Sequence, residues 1–222
     1  VAVDVDEVLG QFLASLNAYC LEIHGERYLL EDYGEYFFAG VWGCSQEASN
    51  DRVHDFFQSE HFRDGVAPVD GARESLDGLR GAGCDLVVVT SRQHCIQAQT
   101  CDWLDSHFPD VFSEVHFGNH YALEGASRSK SEICRDIGAH VLVDDNPQYA
   151  LDCADAGMDV LLFDWDQKYP WSKARQALEH ARVQPTPNWR AVEAAVLELA
   201  AVRAAEEEEG PPELVRATQC RQ

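Results

Sequence analysis

The sequence predicts an α/β fold: a parallel sheet covered by helices on both faces, with a small helical insertion after the first strand. Three observations carry this. Five short apolar runs alternate with helical patterns, the runs are nearly uninterrupted by polar residues, and residues 8–67 break the alternation with helical patterns alone. Alternation of strand and helix implies right-handed βαβ units and a parallel sheet. Runs without polar gaps are what strands buried on both faces require.

Taken in order, residues 1–5 (VAVDV) form the first strand, and 85–90 (DLVVVT), 114–117 (EVHF), 140–144 (HVLVD) and 159–163 (DVLLF) form four more. Helical patterns at 72–80, 93–107, 130–137 and 148–156 fill the gaps. The insertion carries helices near 9–24 and 46–59, separated by an aromatic stretch that includes Tyr36, Phe37, Phe38 and Trp42. Aromatic side chains at such density are expected in the core of the insertion, with stacking on a ligand as the alternative. Pro185 and Pro187 punctuate a turn, and Asn188 is a fitting N-cap for a helix from Trp189 to about Ala205. The expected layout is a core of residues 1–7 and 68–187, an insertion at 8–67, a terminal helix at 188–205 and a disordered polar tail at 206–222.

Composition narrows the function. The 222-residue chain is 45% hydrophobic, ordinary for a globular protein, and no apolar run approaches the roughly 20 residues that span a bilayer. A formal net charge of −22 repels nucleic-acid backbones and anionic membranes. It repels phosphate esters too, so any anion site must be built locally from a metal and a few placed cations. The 8 cysteines include no CxxC pair and no zinc-like spacing, so buried, reduced thiols in an intracellular, cytoplasmic protein are expected. The chain opens at Val1 inside an apolar run, a start compatible with a preceding targeting segment.

Polar residues gather at strand ends. The first strand ends in Asp4-Val5-Asp6, the second in Thr90-Ser91, and the fourth in Asp144-Asp145; Lys130 opens the helix leading into that fourth strand. In an open parallel sheet the carboxyl ends of the strands line one crevice, where ligands bind. Four carboxylates meeting there need a cation, and an all-oxygen Asp site suits Mg²⁺. Thr90 and Lys130 can then hold phosphate oxygens. An aspartate is a competent nucleophile toward phosphorus, and a second carboxyl two residues on can shuttle the leaving-group proton. Taken singly, Thr90-Ser91 could equally cap the next helix, and Asp144-Asp145 could form an Asx turn.

These residues bring the chain to a family. Asp4-Val5-Asp6-Glu7-Val8, Thr90-Ser91, Lys130 and Asp144-Asp145 resemble, in order, the four motifs of haloacid dehalogenase (HAD) superfamily hydrolases. Their separations of 86, 40 and 14 residues fit as well, and the resemblance covers residues 1–165 or so. It implies a Rossmann-like three-layer core and a small helical C1-type cap formed by the insertion. It implies that Asp4 attacks phosphorus and binds Mg²⁺. Asp6 would act as general acid and base and ligate Mg²⁺ through its main-chain carbonyl. Thr90, Ser91 and Lys130 would hold the phosphoryl group, and Asp144 and Asp145 would anchor the metal, the direct ligand of the two being left open. Asp at position 6 favours phosphate esters over the dehalogenase, phosphonatase and ATPase branches.

The nearest branch is similar to the 5′(3′)-deoxyribonucleotidases, which share the DxDxVL start, a small cap and the DD ending. Phe12 falls where that branch places an aromatic residue near the substrate. Arg92 and His94, just after the second motif, are further candidates for substrate contact. Glu7 departs from the pattern, since that branch usually has Gly there. The expectation is therefore a Mg²⁺-dependent phosphomonoester hydrolase acting on a small phosphorylated substrate, possible examples being a nucleotide, a sugar phosphate or a polynucleotide end. A non-catalytic binding protein on the same fold is the rival, and the presence of both Asp4 and Asp6 argues against it.

Overall fold

The computed structural model describes residues 1–35, 37–122 and 124–209. Tyr36 and the tail from residue 210 onward, both singled out by sequence, lie outside the described residues. The chain runs β1 (Ala2–Val3), α1 (Phe12–Tyr19), α2 (Phe38–Trp42), α3 (Gln46–Phe57), α4 (Glu60–Asp64) and α5 (Ala72–Gly81). It continues with β2 (Val87–Thr90), α6 (Gln97–His107), β3 (Glu114–Phe117), α7 (Lys130–Asp136), β4 (Val141–Asp144) and α8 (Pro147–Asp155). It ends with β5 (Asp159–Phe163), α9 (Arg175–Leu178), β6 (Val183–Thr186) and α10 (Trp189–Glu209).

The six strands form one parallel sheet in the order β3-β2-β1-β4-β5-β6. Alternate side chains feed two apolar cores. Val3, Val88, Val143, Leu161 and Phe163 face one core, shared with Leu76 and Leu79 of α5, Trp103 of α6 and Trp189 and Val192 of α10. Ala2, Val89, Leu142, Val160 and Leu162 face the other, shared with Ile133 of α7, Ala150 and Cys153 of α8 and Ala177 of α9. The inner strands β1, β2, β4 and β5 are covered on both faces, which is why their sequences are nearly all apolar, whereas the edge strands β3 and β6 carry exposed polar positions. The result is a three-layer α/β sandwich. Its chain direction across the sheet reverses between β1 and β4, so a crevice opens at their carboxyl ends.

Two elements differ from the sequence expectation. Residues around Pro185 form a sixth strand, not a turn. Pro185 lies opposite Leu162 on β6, an edge strand, where a missing N–H costs no ladder bond on the open side. The terminal helix runs through Glu209, four residues past its expected end, because glutamate is a good helix former even in a run.

Helices α1 to α4 lie between β1 and β2. Their ring contacts bind the segment together: Phe12 meets Phe56 edge-on at 5.3 Å, Phe56 meets Phe62 at 5.4 Å, and Phe38 stacks on Trp42 at 5.3 Å. Phe38 and Trp42 thus take part in packing, Phe37 is half exposed, and Phe37 and Phe38 both also line a pocket. Ser45 and Ser59 cap α3 and α4 by accepting from Ala48 and Phe62 amides.

Of the cysteines, Cys20, Cys134 and Cys153 are buried thiols as expected, whereas Cys44, Cys84 and Cys101 are half-buried and Cys95 is exposed; Cys220 is outside the described residues. Among the described residues no helix is long and apolar enough to cross a membrane.

Candidate active site

The register of β1 and β4 sets the site. Val3 lies opposite Val143, and the Asp4 amide donates to the Val143 carbonyl at 3.0 Å. Asp4 and Asp144 therefore leave neighbouring strands side by side. Asp145 follows, and carboxylate oxygens of Asp4, Asp144 and Asp145 all lie within 4.8 Å of one another, all three residues buried.

Lys130 reaches the same point from the start of α7. A capping box fixes the start of α7: the Glu132 amide donates to Ser129 Oγ at 3.2 Å and the Ser129 amide to Glu132 Oε2 at 3.0 Å. Lys130 follows directly, 1% exposed, with Nζ 2.8 Å from Asp4 Oδ1 and 2.6 Å from Asp144 Oδ2. The Asn146 amide donates to Asp144 Oδ1 at 2.9 Å, and Asn146 caps α8 by accepting from Gln148. The Asx turn and the carboxylate cluster thus coexist. Trp171 Nε1 donates to Asp145 Oδ2 at 2.7 Å.

One ammonium faces three buried carboxylates. Burial pushes the Asp4 carboxyl up to about 7 against the pull of Lys130, with Asp144 and Asp6 adding to the rise. Burial, then Asp144 and Asp4, raise Asp145 well above the usual carboxylate range. Burial alone would lower the Lys130 pKa, but Asp144 and Asp4 outweigh it and the net shift is upward. A surplus of buried negative charge on oxygen donors is the environment a hard divalent cation fits, and Mg²⁺ fits this donor set.

A melting experiment follows from this. Without metal, Asp4 holds its proton up to about pH 7, so its contribution to stability is full near pH 4 and is lost as pH rises through 7. A cation needs the ionised carboxylates. Mg²⁺ at millimolar concentration is therefore expected to raise Tm relative to EDTA, by more at pH 8 than at pH 6. Calorimetry checks this; superimposable curves at both pH values would argue against a metal site.

Asp6 lines, together with Asp4 and Asp145, a pocket between the carboxyl ends of the central strands and helices α1 to α3. The Asp6 carboxylate is gripped by Arg92, whose Nη2 donates to Oδ1 at 2.7 Å and Nε to Oδ1 and Oδ2 at 3.1 and 3.2 Å. Arg92 lines the pocket but spends its guanidinium on Asp6. Thr90 is fully buried and its Oγ1 accepts the Arg92 amide at 3.1 Å, so the hydroxyl proton stays available. Ser91 and Phe12 both line the pocket. His94 does not. It is exposed, its amide donates to Asn119 Oδ1 at 3.0 Å, and its ring lies 6.5 Å from that of Phe117, because a 3₁₀ turn at His94–Ile96 turns it outward. Gln93, one residue earlier, faces the pocket instead.

Several pocket residues were not singled out by sequence. Gln46, Asn50 and His54, one turn apart on α3, look into it, and Gln46 Nε2 donates to Asn50 Oδ1 at 2.7 Å. Helical phase was the signal that could have found them. Tyr149 on α8 and His120 on a loop complete the wall. His120 Nε2 meets the Arg128 carbonyl at 2.8 Å; the carbonyl can only accept, so in the neutral ring Nδ1 accepts from the Tyr149 hydroxyl at 2.7 Å.

Glu7 has φ 60°, the left-handed region that favours glycine. Its buried carboxylate accepts the Leu13 amide at 2.6 Å, holding the first turn of α1, and the Tyr169 hydroxyl donates to its carbonyl at 2.8 Å. Burial pushes this carboxyl up to about 8.

The sequence model of the family described as 5′ nucleotidase, deoxy (Pyrimidine), cytosolic type C protein matches residues 1–151. Among curated proteins none is similar enough to match. Among solved structures, a predicted phosphatase from Clostridium acetobutylicum shares 14% identity over 89% of this chain and 97% of that one, with a TM-score of 0.65. A HAD family hydrolase from Deinococcus radiodurans R1, with bound phosphate and sodium, shares 17% identity over 90% and 95%, with a TM-score of 0.62. A haloacid dehalogenase-like family hydrolase from Streptococcus pneumoniae shares 11% identity over 90% and 96%, also at 0.62. At such identities these structural likenesses speak to the fold alone.

Proposed function

The chain belongs to the 5′ nucleotidase, deoxy (Pyrimidine), cytosolic type C family, and so to the HAD-type phosphatases, and on that premise we propose that it hydrolyses nucleoside monophosphates through an aspartyl-phosphate formed on Asp4. The observation that carries this reading is the cluster of Asp4, Asp144 and Asp145 around Lys130 at the point where the sheet reverses direction.

In the first step an Asp4 carboxylate oxygen attacks phosphorus and the bond to the ester oxygen breaks. Asp6, on the pocket side, gives its proton to the departing alkoxide. In the second step Asp6 takes a proton from water, whose oxygen attacks phosphorus while the bond from phosphorus to the Asp4 oxygen breaks, freeing inorganic phosphate and the Asp4 carboxylate. Lys130, Thr90 and Ser91 hold the phosphoryl oxygens, Lys130 trading part of its hold on Asp4 for the substrate. Asp4, Asp144 and Asp145, with the Asp6 carbonyl, would hold Mg²⁺, which supplies charge neutralisation for the phosphoryl group. The segment 8–67 acts as a cap: Phe12 and Phe37 offer apolar surface to the nucleoside, while Asn50 and His54 offer polar groups to its edge.

Phosphate release from p-nitrophenyl phosphate, a panel of nucleoside monophosphates and a panel of sugar phosphates tests this. Release is expected with Mg²⁺ and not with EDTA, and faster from nucleotides than from sugar phosphates. Release that ignores EDTA would refute the metal-dependent mechanism, and a preference for sugar phosphates would refute the substrate class.

A further inference from the structure

Arg92 uses every guanidinium nitrogen. Nε and Nη2 form a two-pronged pair with the Asp6 carboxylate, and Nη1 donates to Thr100 Oγ1 of α6 at 3.1 Å. Thr100 is itself held by the Ile96 carbonyl at 2.9 Å. The guanidinium carbon lies 5.1 Å from the centre of the Phe62 ring, which belongs to α4 in the inserted segment. The side chain is 4% exposed, against 19% for Asp6. A planar fork on a carboxylate fixes both its position and its rotation, which a lysine ammonium does not. A buried arginine locked at three points is thus a rigid bracket between the second motif, helix α6, the inserted helices and Asp6.

We infer that Arg92 is a positioning residue for Asp6, holding that carboxylate at the pocket face where a leaving-group oxygen would sit, and that Phe62 ties this bracket to the inserted helices. The inference rests on the reading of Asp6 as the proton donor and acceptor. Arg92 acts through the Asp6 carboxylate, both of whose oxygens it holds, and gives no proton itself. Its chemistry is indirect: a proton donor displaced by about 1 Å loses on the order of 10²-fold in rate. The pair also accounts for the two partners' unequal burial. Arg92 is enclosed because it is structural support, and Asp6 keeps one side open to the pocket.

The test is a double-mutant cycle read by rapid-quench measurement of phosphoenzyme formation, with a simple alkyl phosphate and with p-nitrophenyl phosphate, in full-length protein with Mg²⁺. Arg92→Gln is expected to slow the alkyl reaction by about 10²-fold and the nitrophenyl reaction far less, since nitrophenolate leaves without a proton. In an Asp6→Asn background Arg92→Gln should add no further loss, because the group it positions is gone. Arg92→Lys keeps the buried charge without the fork and guards against a folding defect in Arg92→Gln; it too should stay slow with the alkyl ester. Equal slowing with both leaving groups, full recovery in Arg92→Lys, or losses that add in the double variant would each overturn the assignment. If Asp6→Asn alone left the alkyl rate unchanged, the acid-base reading itself would fall, and the Arg92 role with it.

Discussion

Asp4→Asn is expected to lower turnover by on the order of 10⁵-fold while leaving the fold intact. Asp4 follows β1 directly, beside Asp144, is 6% exposed, and faces the Lys130 ammonium. An amide at this position is a poor nucleophile and a poor ligand for a hard cation, so bond formation to phosphorus and metal binding fail together. Folding should not suffer. The native carboxyl is pushed up by burial against the pull of Lys130, with Asp144 and Asp6 adding to the rise, so neutralising it removes a net cost in the metal-free protein. The variant should therefore melt at or above the wild-type temperature in EDTA, while losing most of the shift caused by Mg²⁺. Steady-state assays paired with calorimetry check both halves; full activity in Asp4→Asn would end the nucleophile assignment.

The second large effect is expected at Asp6. Asp6→Asn should slow phosphoenzyme formation from alkyl phosphates by about 10²–10⁴-fold, the range of general acid catalysis, and from p-nitrophenyl phosphate by much less. An alkoxide needs a proton as the P–O bond breaks, and nitrophenolate barely does. Asparagine can still accept hydrogen bonds from Arg92, so the bracket around residue 6 should survive the change. Turnover with either substrate would still fall, since the second step needs a base whichever group has left. Rapid-quench measurement of the first step separates the two. Equal slowing with both leaving groups would make Asp6 a metal anchor or structural residue only.

The strands were legible because their chemistry is uniform. Val87–Thr90 and Val141–Asp144 are apolar up to a polar end, a pattern that only a doubly covered strand explains. β6 was not legible, because Pro185 and Pro187 mimic a turn; only its pairing to β5 shows that Pro185 sits on an open edge. Asp4, Asp144, Asp145 and Lys130 could be found because a parallel sheet delivers every carboxyl end to one crevice. What lies around them could not. Trp171 reaches Asp145 from a stretch of short turns with no periodicity, and Tyr169 reaches the Glu7 carbonyl from the same stretch. Arg92 and His94 were equal candidates in sequence, yet the 3₁₀ turn at His94–Ile96 buries one against Asp6 and exposes the other. Glu7 looked like a departure that would only add charge; its positive φ explains why glycine suits the position, and its contact with Leu13 shows what the carboxylate does instead.

The central claim is that the phosphoryl group passes through Asp4. Acid-quenched reaction mixtures, taken within milliseconds of mixing enzyme and substrate with Mg²⁺, should contain protein heavier by one phosphoryl group, with the modification mapped by peptide mass spectrometry to Asp4 and absent from Asp4→Asn. The adduct should be stable in acid and lost in hydroxylamine, as an acyl phosphate is. A phosphoryl group found on any other residue, or turnover without any phosphoenzyme while Asp4→Asn remains active, would contradict the account.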